Sequence, residues 1–355
     1  MTIFYIILGI LIFGVLIAIH EFGHFIVAKL CHVRVEEFSI GMGPAIWHRQ
    51  KGETVYSLRV IPFGGYCAMT GEDGESDDPR AFTNQAAWKR FLILVAGAFN
   101  NFVLGFVIVL LLYAGSAGFR APVVTGFMEG CPYESAEGLQ SGDRFVKING
   151  KQILLYHEVS QFLLEGQDTG VYDLVLRRGD KTVTLNDFHM VPQEYEGHEG
   201  RYFGFLFEAV DEGNFANTLR YSWNTTLYFV RTVWFGLSEL VRGHVSVNDM
   251  AGPVGIVDMM AEQGTQAETT KDGIFNVLYL GALIAVNLAV MNLLPIPALD
   301  GGQILFLVID EGQRLFTHKK LNPKIQGTVN SVMMVLLLAL MGYIMLHDIV
   351  RIVQK

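Results

Sequence analysis

His20-Glu21-Phe22-Gly23-His24 is an HExxH sequence. On a helix, residues four apart lie one above the other, so both imidazoles would face one point, as a metal ion requires. Glu21, one residue after His20, could then reach a water molecule as general base without being a ligand itself. A zinc hydrolase usually has three protein ligands and leaves a fourth position for water. One ligand is therefore missing, and it must be a His, Asp or Glu held at the same depth. Asp300 is the candidate. It follows a 26-residue apolar stretch and sits in Asn292-Leu293-Leu294-Pro295-Ile296-Pro297-Ala298-Leu299-Asp300-Gly301-Gly302. Pro295 and Pro297 cannot both continue a regular helix, so the backbone must loosen there. Non-helical backbone at membrane depth survives only where protein or a watery cavity surrounds it. Taken alone, an aspartate beside two glycines could also be an ordinary helix-end turn.

The elements that must position these residues are apolar. The chain has 355 residues, 51% hydrophobic and 17% charged, which is long enough for two domains and too apolar for an ordinary soluble one. Residues 3–19 are almost unbroken apolar sequence, and 91–113, 274–299 and 329–346 are similar. Each reaches the roughly 20 residues that cross a bilayer core. The first stretch lacks a basic leading region and carries polar chemistry at its far end, so it is expected to be a retained span rather than a signal peptide. The expected organisation is a polytopic α-helical membrane protein with four spans, at 1–31, 88–115, 271–310 and 328–350. Between the first two spans lies a loop, 32–87. Within it, 53–60 alternates in polarity, 62–65 supplies turn chemistry and 66–69 can return, which reads as a β-hairpin over about 53–69. A block at 121–212, with short alternating strands at 144–148, 172–177 and 182–185 and a helix at 158–164, reads as a small inserted α+β domain.

Depth and parity constrain the rest. His20 comes about 17 residues, or roughly 26 Å, into its span. Asp300 comes at the corresponding end of its own, so the two can meet only if their spans run in the same direction. With four spans they are the first and third, which are parallel. The metal hypothesis therefore predicts that 217–242 does not cross, and its mixture of aromatic and charged residues suits an interfacial amphipathic helix within 213–270.

The net charge of −9 is uneven. Residues 121–216 hold 16 acidic and 7 basic residues, leaving 19 of each sign elsewhere. No basic face suggests a nucleic-acid partner. Cys31, Cys67 and Cys131 have neither disulfide-framework nor CxxC spacing and read as free thiols. Arg314, Lys319, Lys320 and Lys324 after the third span, with Lys29, Lys89 and Arg90 flanking the first loop, put these loops and the metal site on the cytoplasmic side and the 121–212 block outside.

The HEFGH sequence at 20–24, Ile61-Pro62-Phe63-Gly64-Gly65-Tyr66, the Asn292–Asp300–Gly302 segment and Gly252-Pro253-Val254-Gly255-Ile256 together resemble the bacterial site-2 proteases, in particular the regulator-of-sigma-E protease type. The likeness covers essentially the whole chain. Gly138-Leu139-Gln140-Ser141-Gly142-Asp143, followed by Val146-Lys147-Ile148-Asn149-Gly150, resembles a single PDZ domain. The resemblance implies one Zn2+ per chain on His20, His24 and Asp300, with Glu21 as catalytic base. It places Asn287 and Asn292 where the family contacts the substrate backbone, although buried amides can equally tie helix to helix. It implies that the 53–69 hairpin, with Phe63, Gly64 and Gly65, re-enters the membrane and pairs with substrate as an added strand. The partners implied are transmembrane protein substrates such as anti-sigma factors or signal-peptide remnants, the bilayer, and a peptide ligand for the PDZ-like block. The location implied is the bacterial plasma membrane.

Two other classes of function compete. Intramembrane ionisable residues also mark ion routes, so a metal-ion membrane transporter is one rival; internal repeats would favour it, and none is seen. The other is a non-catalytic PDZ membrane scaffold, against which the intact Glu21 argues.

Overall fold

The computed structural model describes residues 1–355 except 73, 75, 167, 245, 247–250, 318–322 and 355. Lys319 and Lys320, used above to orient the chain, lie outside the described residues. In chain order come helix α1 (Thr2–Leu30), two long strands, β1 (Val35–Lys51) and β2 (Thr54–Met69), and helix α2 (Ala87–Tyr113). Strands β3 (Gly118–Arg120), β4 (Gly126–Phe127), β5 (Asp143–Ile148) and β6 (Lys151–Gln152) lead to helix α3 (His157–Glu165). Next are β7 (Val171–Arg178), β8 (Lys181–His189), β9 (Gln193–Glu194), β10 (Arg201–Tyr202), β11 (Phe205–Leu206) and β12 (Val210–Glu212). Helices α4 (Phe215–Val241), α5 (Pro253–Thr265), α6 (Thr270–Asn292), α7 (Asp300–Thr317) and α8 (Pro323–Gln354) follow. The chain divides into two compact units, one of Met1–Leu112 with Phe229–Lys355 and one of Tyr113–Tyr228.

Among the described residues four helices are long and apolar enough to cross a membrane: α1, α2, α6 and the Gln326–Gln354 part of α8. Helix α4 is not among them. In the larger unit, Tyr5, Leu16, Met260, Val277 and Ala285 are buried together and join α1, α5 and α6. Gly264 and Gly273 lie flat against Tyr5, where an added Cβ would overlap the ring or its hydroxyl. Asp348 of α8 is 1% exposed. Its Oδ2 accepts the amides of Gly252 at 3.0 Å and Gly255 at 2.9 Å. These belong to the N-terminal turn of α5, where helix geometry leaves donors without partners and favours an anion. Helix α5 lies within a stretch that the sequence suggested was only an interfacial helix and linker.

The loop after α1 folds as two bent strands, more extensive than a hairpin confined to 53–69. Gly41 and Gly43 bend β1 at φ of 87° and 83°, and Gly64 bends β2 at 94°, backbone states that glycine adopts without steric penalty. The expected arms, 53–60 and 66–69, do not pair with one another. Residues of β1 come between them: Glu37 faces both Val55 and Ala68, and Ile40 faces both Leu58 and Gly65. Arg59 pins the bend by donating to Gly43 O at 2.6 Å, Ser39 Oγ at 2.9 Å and Glu37 Oε1 at 2.7 Å. Burial raises the Glu37 carboxyl, but hydrogen bonds from Ser57 and Arg59 outweigh that and hold it below its ordinary value. Ala28, Val33, Val35, Cys67, Met69, Ile93 and Leu94 form a second core where α1, β1, β2 and α2 meet.

The smaller unit is α+β. Its main sheet has the order β6-β5-β7-β8, with β3–β12, β4–β11 and β9–β10 as short antiparallel pairs. Strand β7 alternates, burying Tyr172, Leu174 and Leu176 against Phe145, Ile148, Val159 and Leu163. Asp143 is fully buried. It accepts Arg178 Nε at 2.7 Å, Arg178 Nη2 at 2.8 Å and the Gln140 amide at 2.8 Å. Removing one partner of a buried charge pair strands the other. Asp143→Ala is expected to destabilise this unit by about 3 kcal/mol, the low end for such pairs because Arg178 keeps some solvent. Hydrogen exchange of β5 and β7 in the whole protein reads that loss; unchanged protection would contradict it. The three cysteines form no disulfide.

Candidate metal centre

Helical spacing places His20 and His24 on one face of α1, and their Nε2 atoms lie 3.2 Å apart. Asp300 is the first residue of α7, and its Oδ2 lies 3.3 Å from each of these nitrogens. The side chains of His20, His24 and Asp300 are 12%, 8% and 16% exposed, so the cluster is nearly sealed from solvent.

The break between α6 and α7 delivers the carboxylate. Helix α6 ends at Asn292, just ahead of Pro295 and Pro297, which cannot continue it. Ala298 takes a left-handed φ of 75°, a strained state for a residue with a side chain. Its amide is held by Asn330 Oδ1 of α8 at 3.2 Å. Gly301 and Gly302 follow because the break folds back on the first turn of α7. A Cβ at 302 would lie 2.7 Å from Pro297 Cα, and one at 301 would overlap Leu293 and Leu294 backbone.

The donor set fits zinc. A tetrahedral ion with bonds of about 2.0–2.1 Å sets its donors ~3.3 Å apart, and the three edges here are 3.2, 3.3 and 3.3 Å. Asp300 Oδ2 is buried with no hydrogen-bond partner, which is costly unless a cation takes it. Among the described residues no other group of three His, Cys, Asp or Glu side chains converges in this way. Two nitrogens and one oxygen are the donors of a hydrolytic zinc set, which keeps its fourth position for water.

Glu21 stands beside the trio rather than in it. Its carboxylate takes a backbone hydrogen bond from Cys67 of β2. Gly65 is against it too, since a Cβ there would be 3.3 Å from Glu21 Cγ. Phe63 and Gly64 lie at the bend of β2, just before that contact. Asn292 Nδ2 is 3.5 Å from His20 Nε2. Asn287 is half-buried on the same helix, five residues earlier and so roughly 140° round from Asn292, and among the described residues no hydrogen bond joins it to the cluster.

Helix α2 supplies three features that the sequence reading assigned no part. The Ile93 carbonyl accepts His24 Nδ1–H at 2.8 Å. Gly97 makes room for both rings, since a Cβ there would overlap His24 Nε2 and lie 2.8 Å from His20 Cε1. Asn101 reaches His20 Nδ1. Gly97 and Asn101 are themselves four apart, and an amide in an apolar span is a readable signal; a backbone carbonyl is not.

The model of peptidase family M50 matches residues 8–340. The chain belongs to peptidase family M50. Its relatives include a candidate zinc metalloprotease, by name, of Clostridium acetobutylicum, 34% identical over 99% of this chain and 98% of the relative. A second of that description, from Clostridium perfringens, is 35% identical over 98% of each chain. The regulator of sigma-W protease RasP of Bacillus subtilis is 25% identical over 96% of this chain and 97% of its own. This M50 protein is a zinc metalloprotease with zinc as its cofactor, and its four apolar helices make it a multi-pass membrane protein.

Proposed function

We propose that the chain is an intramembrane endopeptidase that cuts single-span transmembrane proteins within or beside the bilayer, in regulated intramembrane proteolysis. The observation that carries this reading is the convergence of His20 Nε2, His24 Nε2 and Asp300 Oδ2 at 3.2–3.3 Å, with Glu21 one residue from the first ligand. His20, His24 and Asp300 would hold a zinc ion, which would supply Lewis acidity to a water molecule and to the scissile carbonyl. Glu21 takes the proton from the attacking water and delivers it to the leaving amide nitrogen. Asn292, and Asn287 one and a half turns before it, offer amide donors and acceptors to an opened peptide backbone.

A transmembrane helix must be unwound before its peptide bonds can be reached. Residues 65–68 of β2 pair with β1 along one edge and lie next to Glu21. Among the described residues no strand covers their other edge, so an extended substrate can add there, guided by Phe63, Gly64 and Gly65. The basic residues Lys29, Lys89, Arg90, Arg314 and Lys324 favour a cytoplasmic metal site in the bacterial plasma membrane, with 121–212 as an extracytoplasmic PDZ-like domain that takes a peptide. The name of the Bacillus subtilis relative favours membrane anti-sigma factors over signal-peptide remnants as substrates.

The purified full chain in lipid nanodiscs, given a single-span test substrate, is expected to cut inside the apolar segment. A strong zinc chelator should abolish cleavage, and added zinc should restore it. Cleavage that survives metal removal, or falls only in the soluble flanks, overturns the reading.

A further inference from the structure

The two histidines are braced differently behind the cluster. His24 Nδ1 faces the Ile93 carbonyl, which can only accept, so Nδ1 carries the hydrogen and Nε2 presents its lone pair to the centre. His20 Nδ1 faces the side-chain amide of Asn101 at 3.5 Å, and among the described residues it has no other hydrogen-bond partner. Asn101 is completely buried. The two ends of an amide have the same shape but opposite roles. With Nδ2 toward the ring, His20 Nδ1 must accept and Nε2 must hold the proton, which closes that nitrogen to a metal. That orientation also leaves Oδ1 buried with no partner. With Oδ1 toward the ring, the oxygen accepts from Nδ1–H and Nε2 is free.

Packing gives Asn101 this position. Gly23 of α1 sits so close to α2 that a Cβ would lie 2.7 Å from the Ala96 carbonyl carbon and 2.9 Å from Gly97 Cα. Gly97 then lies under both imidazoles, and Asn101 follows one turn later on the same face. Asn100 Nδ2 also donates to Ile19 O at 3.4 Å, tying the two helices beside the site.

We propose that Asn101 is a positioning residue for the metal centre: its side-chain oxygen accepts Nδ1–H of His20 and fixes the tautomer whose Nε2 can ligate. This rests on the zinc reading of the trio. The test is zinc affinity, measured on detergent-solubilised full chain by competition with a chromophoric chelator. Asn101→Leu, similar in size but without an acceptor, should weaken zinc 10- to 100-fold, the usual cost of losing such a partner. Asn101→Asp, with an oxygen at either end, should bind at least as tightly as the unaltered protein. A merely structural role would weaken both variants alike. Wild-type affinity in Asn101→Leu, or equal losses in the two variants, overturns the proposal. If Asn101→Leu does not fold, Asn101→Ala carries the same comparison. Failure of the unaltered chain to bind one zinc would instead sink the metal reading itself, so the two failures are distinguishable.

Discussion

Glu21→Gln should give a folded, zinc-loaded protein whose cleavage of a single-span substrate falls by about 10²–10⁴-fold, the range that a positioned general base supplies. The three atoms that converge belong to His20, His24 and Asp300, so the substitution removes no ligand. Gln keeps the size of Glu and can still meet the Cys67 backbone and Gly65, so the neighbouring strand need not move. What is lost is a group that can take a proton from water and return it to the leaving nitrogen. Zinc content by mass spectrometry, thermal unfolding and single-turnover cleavage separate these effects. A variant that holds one zinc, unfolds at the wild-type temperature and still cuts within tenfold of wild type would remove Glu21 from its role. Asp300→Ala should differ in kind, losing activity together with zinc, because it takes away one donor of three.

The parts of this centre that could be read from the sequence are those fixed by local rules. A four-residue spacing places two imidazoles together on any α-helix, whatever surrounds it. Pro295 and Pro297 stop α6 wherever it packs, and Asp300 begins the helix beyond them. Other parts depended on which segments meet. The arms at 53–60 and 66–69 alternate as strands should, yet each pairs with β1, because alternation sets which face is buried and not which strand lies alongside. Asp348 falls inside the fourth expected span, 328–350, and has no part in the sequence reading. Its reason, two amides at the start of α5, comes from a helix about 95 residues away and has no local signature. The contribution of α2 was hidden for a similar cause. The carbonyl of Ile93 and the missing side chain of Gly97 matter only once α1 lies against them.

Gly97→Ala should therefore abolish zinc binding although it adds one methyl group to a residue that is no ligand. The new Cβ would overlap His24 Nε2 and stand 2.8 Å from the Cε1 atoms of both His20 and His24. Contacts this short are not tolerated, so either the rings rotate away or the helices part. The helices are poorly able to part, because the His24–Ile93 and Asn100–Ile19 hydrogen bonds tie them together beside the site. In an ordinary core such overpacking costs typically about 1–3 kcal/mol. Here the atoms that must give way are donors whose positions need to hold within about 0.2 Å for coordination. A small stability loss and a total loss of metal are thus expected together. Gly105→Ala on the same helix is the control: its Cβ would meet Val286 Cγ2 at 2.7 Å and Ala282 O at 3.0 Å, away from the imidazoles. It should cost stability by a similar amount and keep one zinc. Equal zinc stoichiometry and affinity in Gly97→Ala and Gly105→Ala would mean that the imidazoles do not depend on α2 for their placement.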